Sequence, residues 1–283
     1  METFEAPPGE SPVEFLKRCD HLMNEPGPEV ECVKAVPLRT SGSWRLTADI
    51  FVPDGNPPFP VLVYFHGGGW VMGNPATHRR LAGDFAAGGV LTISVDYPRA
   101  PKHLFPAAVQ DCAFAVGWAA RNAGRYGGGT SLAVGGDSAG ANLAAAVLAS
   151  RRRLPLPPVA AGVLLYGIYE FHDALPVLAS LVGGSSPSGQ QYLPASRFEE
   201  LRGDPRLSPL YGCGELPPCH LSAGSRDPLL GQTLRLAGAL DGAGVEHDLY
   251  VADGAPHSFM QLAFLDACAD GHRRARDFLM SRA

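Results

Sequence analysis

The chain has 283 residues, of which 46% are hydrophobic and 18% charged, so a large apolar core can form and global disorder is excluded. Its net charge of −5 disfavours nucleic acids and anionic membranes as partners, since both bind concentrated basic surfaces. The six cysteines lack metal-like spacing, and the sequence shows neither a secretory signal nor a membrane-length apolar run. We therefore expect free thiols, no metal, no stable membrane association and a cytoplasmic location.

Strand-like apolar runs alternate with helical stretches along most of the chain. Strands are predicted at Val30–Leu38, Leu46–Val52, Val61–Phe65, Leu91–Val95, Leu132–Gly135, Ala161–Tyr166, Cys219–Ala223 and Glu246–Val251. Helices are predicted at Thr77–Ala87, Ala107–Asn122, Ala139–Arg152, Leu229–Ala243 and Phe259–Met280. The first two strands have no helix between them, which suggests an antiparallel start. The later alternation predicts an α/β fold, with a mostly parallel central sheet of about eight strands flanked by helices.

Two segments interrupt this alternation. Residues 1–28 are rich in Pro and Glu and carry a predicted short helix at Pro12–Met23. Residues 168–215 hold one or two predicted helices among Gly, Ser and Pro. An insertion of that length in a compact domain is usually functional. A lid is therefore the first interpretation of residues 168–215, and a surface excursion is the alternative.

The strongest local motif is Gly136-Asp137-Ser138-Ala139-Gly140, between a predicted strand and a helix of small residues. In this context, G-x-S-x-G holds the serine on a tight turn with its hydroxyl exposed. The flanking glycines remove Cβ atoms that would clash with the neighbouring strand and helix, and the helix N-terminus favours negative charge. Ser138 is the predicted nucleophile, and an ordinary strand-to-helix turn is the alternative.

A serine nucleophile needs a neighbouring base, which follows an acidic residue in the chain order of this architecture. His257 lies in a loop between the last predicted strand and the last predicted helix. His220 and His247 fall inside predicted strands, and His272 stands beside two arginines, where we expect it to be solvated. His257 is therefore the predicted base.

The orienting acid is expected just after the preceding strand, and Asp227 stands there, followed by Pro228. An Asp-Pro pair also starts many helices, so a helix N-cap is the alternative interpretation of Asp227. Asp253 is closer to His257 in sequence. It is too close, because one short loop would have to supply two groups that face each other.

Three consecutive glycines, Gly67, Gly68 and Gly69, follow the third predicted strand. Acyl transfer through serine forms an oxyanion, which backbone N–H groups stabilise. One donor is the N–H after the nucleophile, here Ala139, and another comes from the loop after the third strand. All three glycines are candidate donors, with Gly68 the first choice. His66 is interpreted as a side chain that holds this loop. A glycine-rich loop can also bind phosphate, but neither G-x-G-x-x-G nor G-x-x-x-x-G-K-S/T is present in the sequence.

Five motifs in this order, "HGGGW", "DYPRAPKHLFPAAVQDC", "GGDSAGANLAAAV", "RDPLL" and "APHSF", resemble the hormone-sensitive-lipase-like family of α/β-hydrolases, in its bacterial esterase branch. The resemblance implies a single α/β-hydrolase domain over residues 1–283, with a helical cap from about 1–28 and about 168–215. It implies hydrolysis of small short-chain carboxylic esters without a cofactor. Its triad corresponds to Ser138, Asp227 and His257. A homodimer through the last strand or helix is expected from this resemblance alone.

The sequence departs from the family pattern in one loop and at one later position. Pro98, Arg99, Lys102 and Leu104 replace other residues, so an Arg–Glu pair that braces this loop in relatives is missing. Gly231 stands where many relatives have a second Asp. The packing of the loop therefore cannot be carried over from the resemblance.

Four residues are predicted to contribute to the substrate pocket: Trp70, Asp137, Tyr166 and Tyr169. Trp70 either forms a wall of the pocket or packs under the glycine loop. Core packing explains the tyrosines nearly as well.

Two other functions stay open. An amide or formamide hydrolase, similar to kynurenine formamidases, would use the same triad, although the "GDSAG" motif fits the esterase branch better. A non-catalytic receptor for a small ligand, as in plant gibberellin receptors, would use the same scaffold. Those receptors have lost the catalytic histidine, whereas His257 is present here.

Overall fold

The strands in the described residues form one mixed sheet. A computed structural model describes residues 27–41, 44–182 and 188–283. The strands in these ranges are β1 Glu31–Ser41, β2 Trp44–Val52, β3 Phe59–Phe65, β4 Leu91–Asp96, β5 Gly128–Asp137, β6 Ala161–Leu165, β7 Cys219–Gly224 and β8 His247–Ala252. Their order in the sheet is β1-β2-β4-β3-β5-β6-β7-β8. The predicted eight-stranded, mostly parallel sheet is confirmed.

Helices lie on both faces of this sheet. In the described ranges they are α1 Arg79–Ala87, α2 Ala107–Asn122, α3 Ala139–Ala149, α4 Phe171–Val182, α5 Ser188–Tyr192, α6 Phe198–Leu201, α7 Leu230–Ala243 and α8 Asp266–Met280. Apolar side chains of α2, α3 and α7 pack in one core, and those of α1 and α8 pack in the other. Both faces of the central strands are therefore covered, as continuous apolar strands require.

The topology places several loops at one edge of the sheet. β1 pairs with β2, and β2 with β4, in antiparallel fashion, whereas β3 to β8 form parallel pairs. The chain moves from β3 outward to β4 and then returns past β3 to β5. Ligands of open α/β sheets bind at such a reversal, beyond the carboxyl ends of the strands. The loops after β3, β5, β7 and β8 all emerge there.

The last predicted helix is wrong in its first part. Residues Phe259–Gln261 form a short 3₁₀ turn, and α8 begins only at Asp266. Leu262 and Leu265 have non-helical backbone angles between the two pieces. Phe259 is fully buried, so an apolar residue expected on a helix face belongs to a buried turn instead.

His272 is not solvated, contrary to the expectation from its arginine neighbours. Its Nε2 lies 3.0 Å from the Met260 carbonyl oxygen and 3.4 Å from Asp84 Oδ2. The histidine therefore lies on the face of α8 that packs toward α1.

The segment between β6 and β7 contains three helices, α4, α5 and α6, whereas one or two were predicted. Two backbone N–H groups at its start, those of Tyr169 and Glu170, donate to Gln232 Oε1 at 2.9 and 2.7 Å. The Gln232 side chain therefore ties the beginning of the segment to α7. The predicted helix Pro12–Met23 and the N-terminal cap segment lie outside the described residues, apart from 27–28.

The loop that departs from the family pattern has its own ion pair. Arg99 Nη1 lies 2.5 Å from Asp96 Oδ1, and its guanidinium carbon lies 6.0 Å from the centre of the Trp44 ring. The Ala100 N–H donates to the Trp70 carbonyl at 3.0 Å. Arg99 thus braces this loop through the acid at the end of β4.

Asn142 is a polar side chain in the otherwise apolar helix α3. It is fully buried. Its Nδ2 donates to the carbonyls of Ile168 and Leu207 at 2.8 and 3.0 Å, and its Oδ1 lies 3.3 Å from Trp70 Nε1. The side chain therefore joins the glycine loop, the end of β6 and the inserted segment.

Replacing Asn142 with alanine is expected to lower the free energy of unfolding by about 3 kcal/mol, because buried polar groups lose their partners. Urea denaturation followed by circular dichroism measures this loss. Asn122→Ala is the matched control: Asn122 makes one hydrogen bond, to the Trp118 carbonyl at 2.9 Å, at the end of α2. A loss below about 1 kcal/mol is expected there. Equal losses would contradict the assignment.

Five cysteines, Cys32, Cys112, Cys213, Cys219 and Cys268, are free thiols in the described residues. Every helix in those ranges is too short or too polar to span a bilayer. The cytoplasmic location and the homodimer stay predictions.

Candidate active site

Ser138 lies on a sharp turn between β5 and α3. Its φ of 52° and ψ of −119° are strained for a residue with a Cβ atom. Its N–H donates to the Leu165 carbonyl at 2.9 Å, and its carbonyl accepts the Asn142 N–H at 3.1 Å. A Cβ on Gly140 would lie 1.9 Å from the Phe65 carbonyl oxygen, so only glycine fits there. The predicted tight serine turn is present.

Three side chains from separate loops form a continuous hydrogen-bond chain. His257 Nε2 lies 3.0 Å from Ser138 Oγ, and His257 Nδ1 lies 2.8 Å from Asp227 Oδ2. The Asp227 carboxylate accepts a hydrogen bond from Nδ1–H, which leaves Nε2 to accept a hydrogen bond from the serine hydroxyl. The structure thus brings together the three residues that the sequence predicted.

The surroundings of His257 favour its protonated form. Burial lowers the pKa of this imidazole, but the Asp227 carboxylate outweighs burial, with a smaller contribution from Asp137, so the pKa is raised above its ordinary value of 6.5. The Tyr166 ring and the imidazole form a T-shaped contact, with ring centres 5.1 Å apart. This environment holds an imidazole in place and stabilises it when it takes up a proton.

Asp227 contacts His257 and is not the N-cap of α7, which is Leu229. Its Oδ1 accepts the Leu229 N–H at 2.7 Å, just before α7, while Oδ2 faces His257. Asp253 instead accepts from the Ser225 hydroxyl at 3.3 Å and is exposed. The more distant acid along the chain is therefore the one that contacts the histidine.

The glycine loop after β3 has a left-handed backbone. Gly68, Gly69 and Trp70 have φ values of 114°, 59° and 63°. The Gly68 carbonyl accepts the N–H groups of Val71 and Met72 at 3.1 and 3.0 Å. A Cβ on Gly68 would lie 2.3 Å from the Met72 carbonyl oxygen. Glycine is required at this position both for the angle and for the space.

Gly67 is not a free donor, which corrects one expectation for the oxyanion hole. Its N–H donates to Asp137 Oδ1 at 2.8 Å. In the described part of the chain, the N–H groups of Gly68, Gly69 and Ala139 have no hydrogen-bond acceptor. The candidate donors are therefore reduced to these three, and Gly68 remains the first choice.

Residues 62–261 match the family model of the alpha/beta hydrolase fold. The chain belongs to this family. Similarity to curated esterases shows that the chain belongs to the hormone-sensitive-lipase-like branch and is a carboxylesterase-type hydrolase. Esterase LipI of Mycobacterium tuberculosis is 32% identical over 213 residues, which are 72% of this chain and 67% of LipI. The ethyl acetate hydrolase of Pseudomonas putida is 31% identical over 261 residues, 86% of this chain and 80% of that protein.

A solved structure agrees with these relatives. The esterase of Pyrobaculum calidifontis superposes on this hydrolase with a TM-score of 0.79 and 28% identity, covering 94% of this chain and 90% of the other. The α/β-hydrolase fold predicted from the sequence is thereby confirmed.

The four predicted pocket residues of the hydrolase do not line an open pocket. Trp70, Asp137, Tyr166 and Tyr169 are at most 1% exposed. Trp70 stacks on Tyr192 of the inserted segment with ring centres 4.8 Å apart, and its Nε1 lies 3.3 Å from Asn142 Oδ1. Aromatic residues near a motif do not reveal from sequence whether they face a cavity or the core.

His66 holds the glycine loop of the hydrolase, as expected. Its Nδ1 donates to the Gly67 carbonyl at 2.8 Å. Burial, with a smaller contribution from His78, lowers the pKa of His66 to about 3. The imidazole is therefore neutral at ordinary pH and acts as a fixed donor.

Sequence reasoning missed two residues around the site, Met72 and Asn142. Met72 is 53% exposed, and its side chain would contact a Cβ on Gly68 at 3.0 Å, so it lies beside the glycine loop at the protein surface. No sequence pattern marked it. Asn142 had a usable signal, because a single polar residue in an apolar helix beside the nucleophile is buried and needs partners.

No group of three or more His, Cys, Asp or Glu within residues 27–41, 44–182 and 188–283 is arranged to hold a metal ion.

Proposed function

We propose that this hydrolase cleaves short-chain carboxylic esters through a covalent acyl-enzyme on Ser138. The hydrogen-bond chain from Ser138 Oγ to His257 Nε2 at 3.0 Å, and from His257 Nδ1 to Asp227 Oδ2 at 2.8 Å, carries this proposal. Such a chain activates a hydroxyl that would otherwise be a weak nucleophile.

In the first half of the reaction, His257 takes the serine proton while Oγ attacks the ester carbonyl carbon. The oxyanion is stabilised by the N–H groups of Gly68 and Ala139, with Gly69 next to them. Asp227 holds the imidazole in the required tautomer. His257 then gives its proton to the departing alcohol, and the acyl group stays on Ser138.

In the second half, a water molecule attacks the acyl-enzyme. His257 takes a proton from this water, and the same N–H groups stabilise the second oxyanion. The acid leaves when the C–Oγ bond breaks and Ser138 regains its proton from His257. The balance is one ester and one water converted to one acid and one alcohol.

The short acyl preference is supported by the resemblance and by the relative named ethyl acetate hydrolase. In this proposal, residues 168–215 and the N-terminal segment 1–28 form a cap above Ser138. The backbone hydrogen bonds from Tyr169 and Glu170 to Gln232 would fix one end of that cap.

An activity series tests the proposal: p-nitrophenyl esters from acetyl to decanoyl, with a fluorophosphonate probe and mass spectrometry to locate the label. The expected result is the highest kcat/KM on short chains and a single label on Ser138. Faster turnover of an N-formyl aniline than of the matching aryl ester would favour an amide hydrolase. No turnover and no label would contradict both.

The pH dependence of kcat/KM should report the state of His257. The imidazole acts as a base only when deprotonated, so activity is lost as pH falls through its pKa. Because that pKa is raised above 6.5, the midpoint of the acid limb is expected above 6.5. Initial rates on an ethyl ester in a pH-stat measure this midpoint. A midpoint below 6.5 would contradict the assignment.

A further inference from the structure

A buried carboxylate that the mechanism does not use lies directly before the nucleophile. Asp137 precedes Ser138 in the chain and is 1% exposed. Its Oδ1 accepts the Gly67 N–H at 2.8 Å and the Tyr64 hydroxyl at 2.5 Å. A buried charge is costly unless hydrogen bonds compensate it. This carboxylate therefore depends on its donors for its place in the core.

The other carboxylate oxygen also faces donors. Asp137 Oδ2 lies 3.3 Å from Gln261 Nε2 and 3.4 Å from His78 Nε2. Burial raises the pKa of the Asp137 carboxyl, but His78 and the Tyr64 hydroxyl outweigh burial and bring the pKa below its ordinary value. The carboxylate is ionised and accepts hydrogen bonds on both oxygens.

The carbonyl side of Gly67 is held as firmly as its N–H. The Gly67 carbonyl accepts from His66 Nδ1 at 2.8 Å. The His66 ring stacks on Tyr97 with ring centres 4.2 Å apart, and the Tyr97 hydroxyl donates to the His66 carbonyl at 2.7 Å. Every backbone polar group from the His66 carbonyl to the Gly67 carbonyl thus has a buried partner.

We infer that Asp137 is a positioning residue that keeps the glycine loop aligned with the nucleophile, an assignment that rests on the function proposed above. Gly67 directly precedes Gly68, and Asp137 directly precedes Ser138. One hydrogen bond between the two preceding residues therefore sets where the Gly68 N–H stands relative to Ser138 Oγ. Losing one oxyanion donor costs about 10²- to 10³-fold in kcat.

Two substitutions grade this effect. Asp137→Ala removes every acceptor, so the Gly67 N–H is left buried without a partner and the loop is free to shift. Asp137→Asn keeps one oxygen, but its amide group then presents N–H donors either to Gly67 or to the His78 and Gln261 donors. We expect kcat to decrease from the wild type to Asp137→Asn and further to Asp137→Ala.

The measurements are kcat, KM and the inhibition constant of phenylboronic acid, whose tetrahedral adduct on Ser138 places an oxygen where the oxyanion forms. For Asp137→Ala, kcat is expected to fall about 100-fold and the inhibition constant to rise in parallel, with KM within about threefold. For Asp137→Asn, kcat is expected to fall about tenfold.

Asp111→Ala is the matched control, because Asp111 on α2 is also a buried carboxylate and pairs with Arg39 of β1, at the opposite edge of the sheet from β8. It should leave kcat and the inhibition constant unchanged. Should Asp137→Ala fail to fold, Asp137→Asn decides alone: a tenfold loss in kcat at constant KM is expected there.

Three results would overturn the inference: wild-type kcat in a folded Asp137→Ala or Asp137→Asn protein, a change confined to KM, or an equal loss in Asp111→Ala. Ser138→Ala in the same assay separates a failure of the proposed function from a failure of the positioning role. An active Ser138→Ala variant refutes the proposed function itself. An inactive one, alongside fully active Asp137 variants, refutes only the positioning role.

Discussion

Replacing Ser138 with alanine is expected to lower kcat on p-nitrophenyl butyrate by about 10⁴-fold or more, because the hydroxyl that carries the acyl group is lost. The residual rate would come from binding and from the backbone donors. KM should change little, since the hydroxyl contributes mainly to the transition state. Steady-state kinetics measures both values, and fluorophosphonate labelling should disappear.

Ser94→Ala is the matched control for this change. Ser94 is a fully buried serine on β4 whose Oγ has no hydrogen-bond partner. Its loss should leave kcat and labelling at wild-type values. If Ser138→Ala kept substantial activity while its thermal unfolding matched the wild type, the acyl-enzyme mechanism would be refuted.

Replacing Asp227 with asparagine is expected to lower kcat by about 10³- to 10⁴-fold with the fold intact. The asparagine oxygen can still accept the Leu229 N–H, so the start of α7 keeps its hydrogen bond. Its amide N–H would face His257 Nδ1 and force the proton onto Nε2. An imidazole in that tautomer cannot accept the proton of Ser138.

The same substitution should also move the pH profile. Without the Asp227 carboxylate, the largest influence that raises the pKa of His257 is gone, so the acid limb shifts to lower pH. Asp253→Asn is the control, because Asp253 is closer to His257 in sequence but contacts Ser225 instead. A larger loss in Asp253→Asn than in Asp227→Asn would contradict the assigned acid.

The fold could be predicted where a strong periodic pattern or a continuous apolar run decides the structure. α2 begins and ends at the predicted residues, Ala107 and Asn122, because its apolar positions repeat along one face. The all-buried strand β6 was evident as a short apolar run. The prediction of one helix from Phe259 to Met280 was wrong in its first part, because buried apolar residues fit a compact turn as well as a helix.

The triad could be predicted because each member follows a recognisable strand and stands in a fixed chain order. The hydrogen-bond partner of the Gly67 N–H could not be predicted. Its N–H is used by a side chain 70 residues away, and that contact depends on how Asp137 is oriented in the folded core. The buried state of Trp70, Tyr166 and Tyr169 likewise depends on packing between segments distant in sequence.

The serine, the acid and the imidazole are contributed by loops after β5, β7 and β8, and β8 lies at the edge of the sheet. A polypeptide emerging from the ribosome therefore carries an inert hydroxyl until this edge strand has been synthesised and docked. During cell-free translation or refolding, ester turnover would therefore begin only when the sheet is complete. An earlier collapse of the core would produce no activity and would not be detected by such an assay.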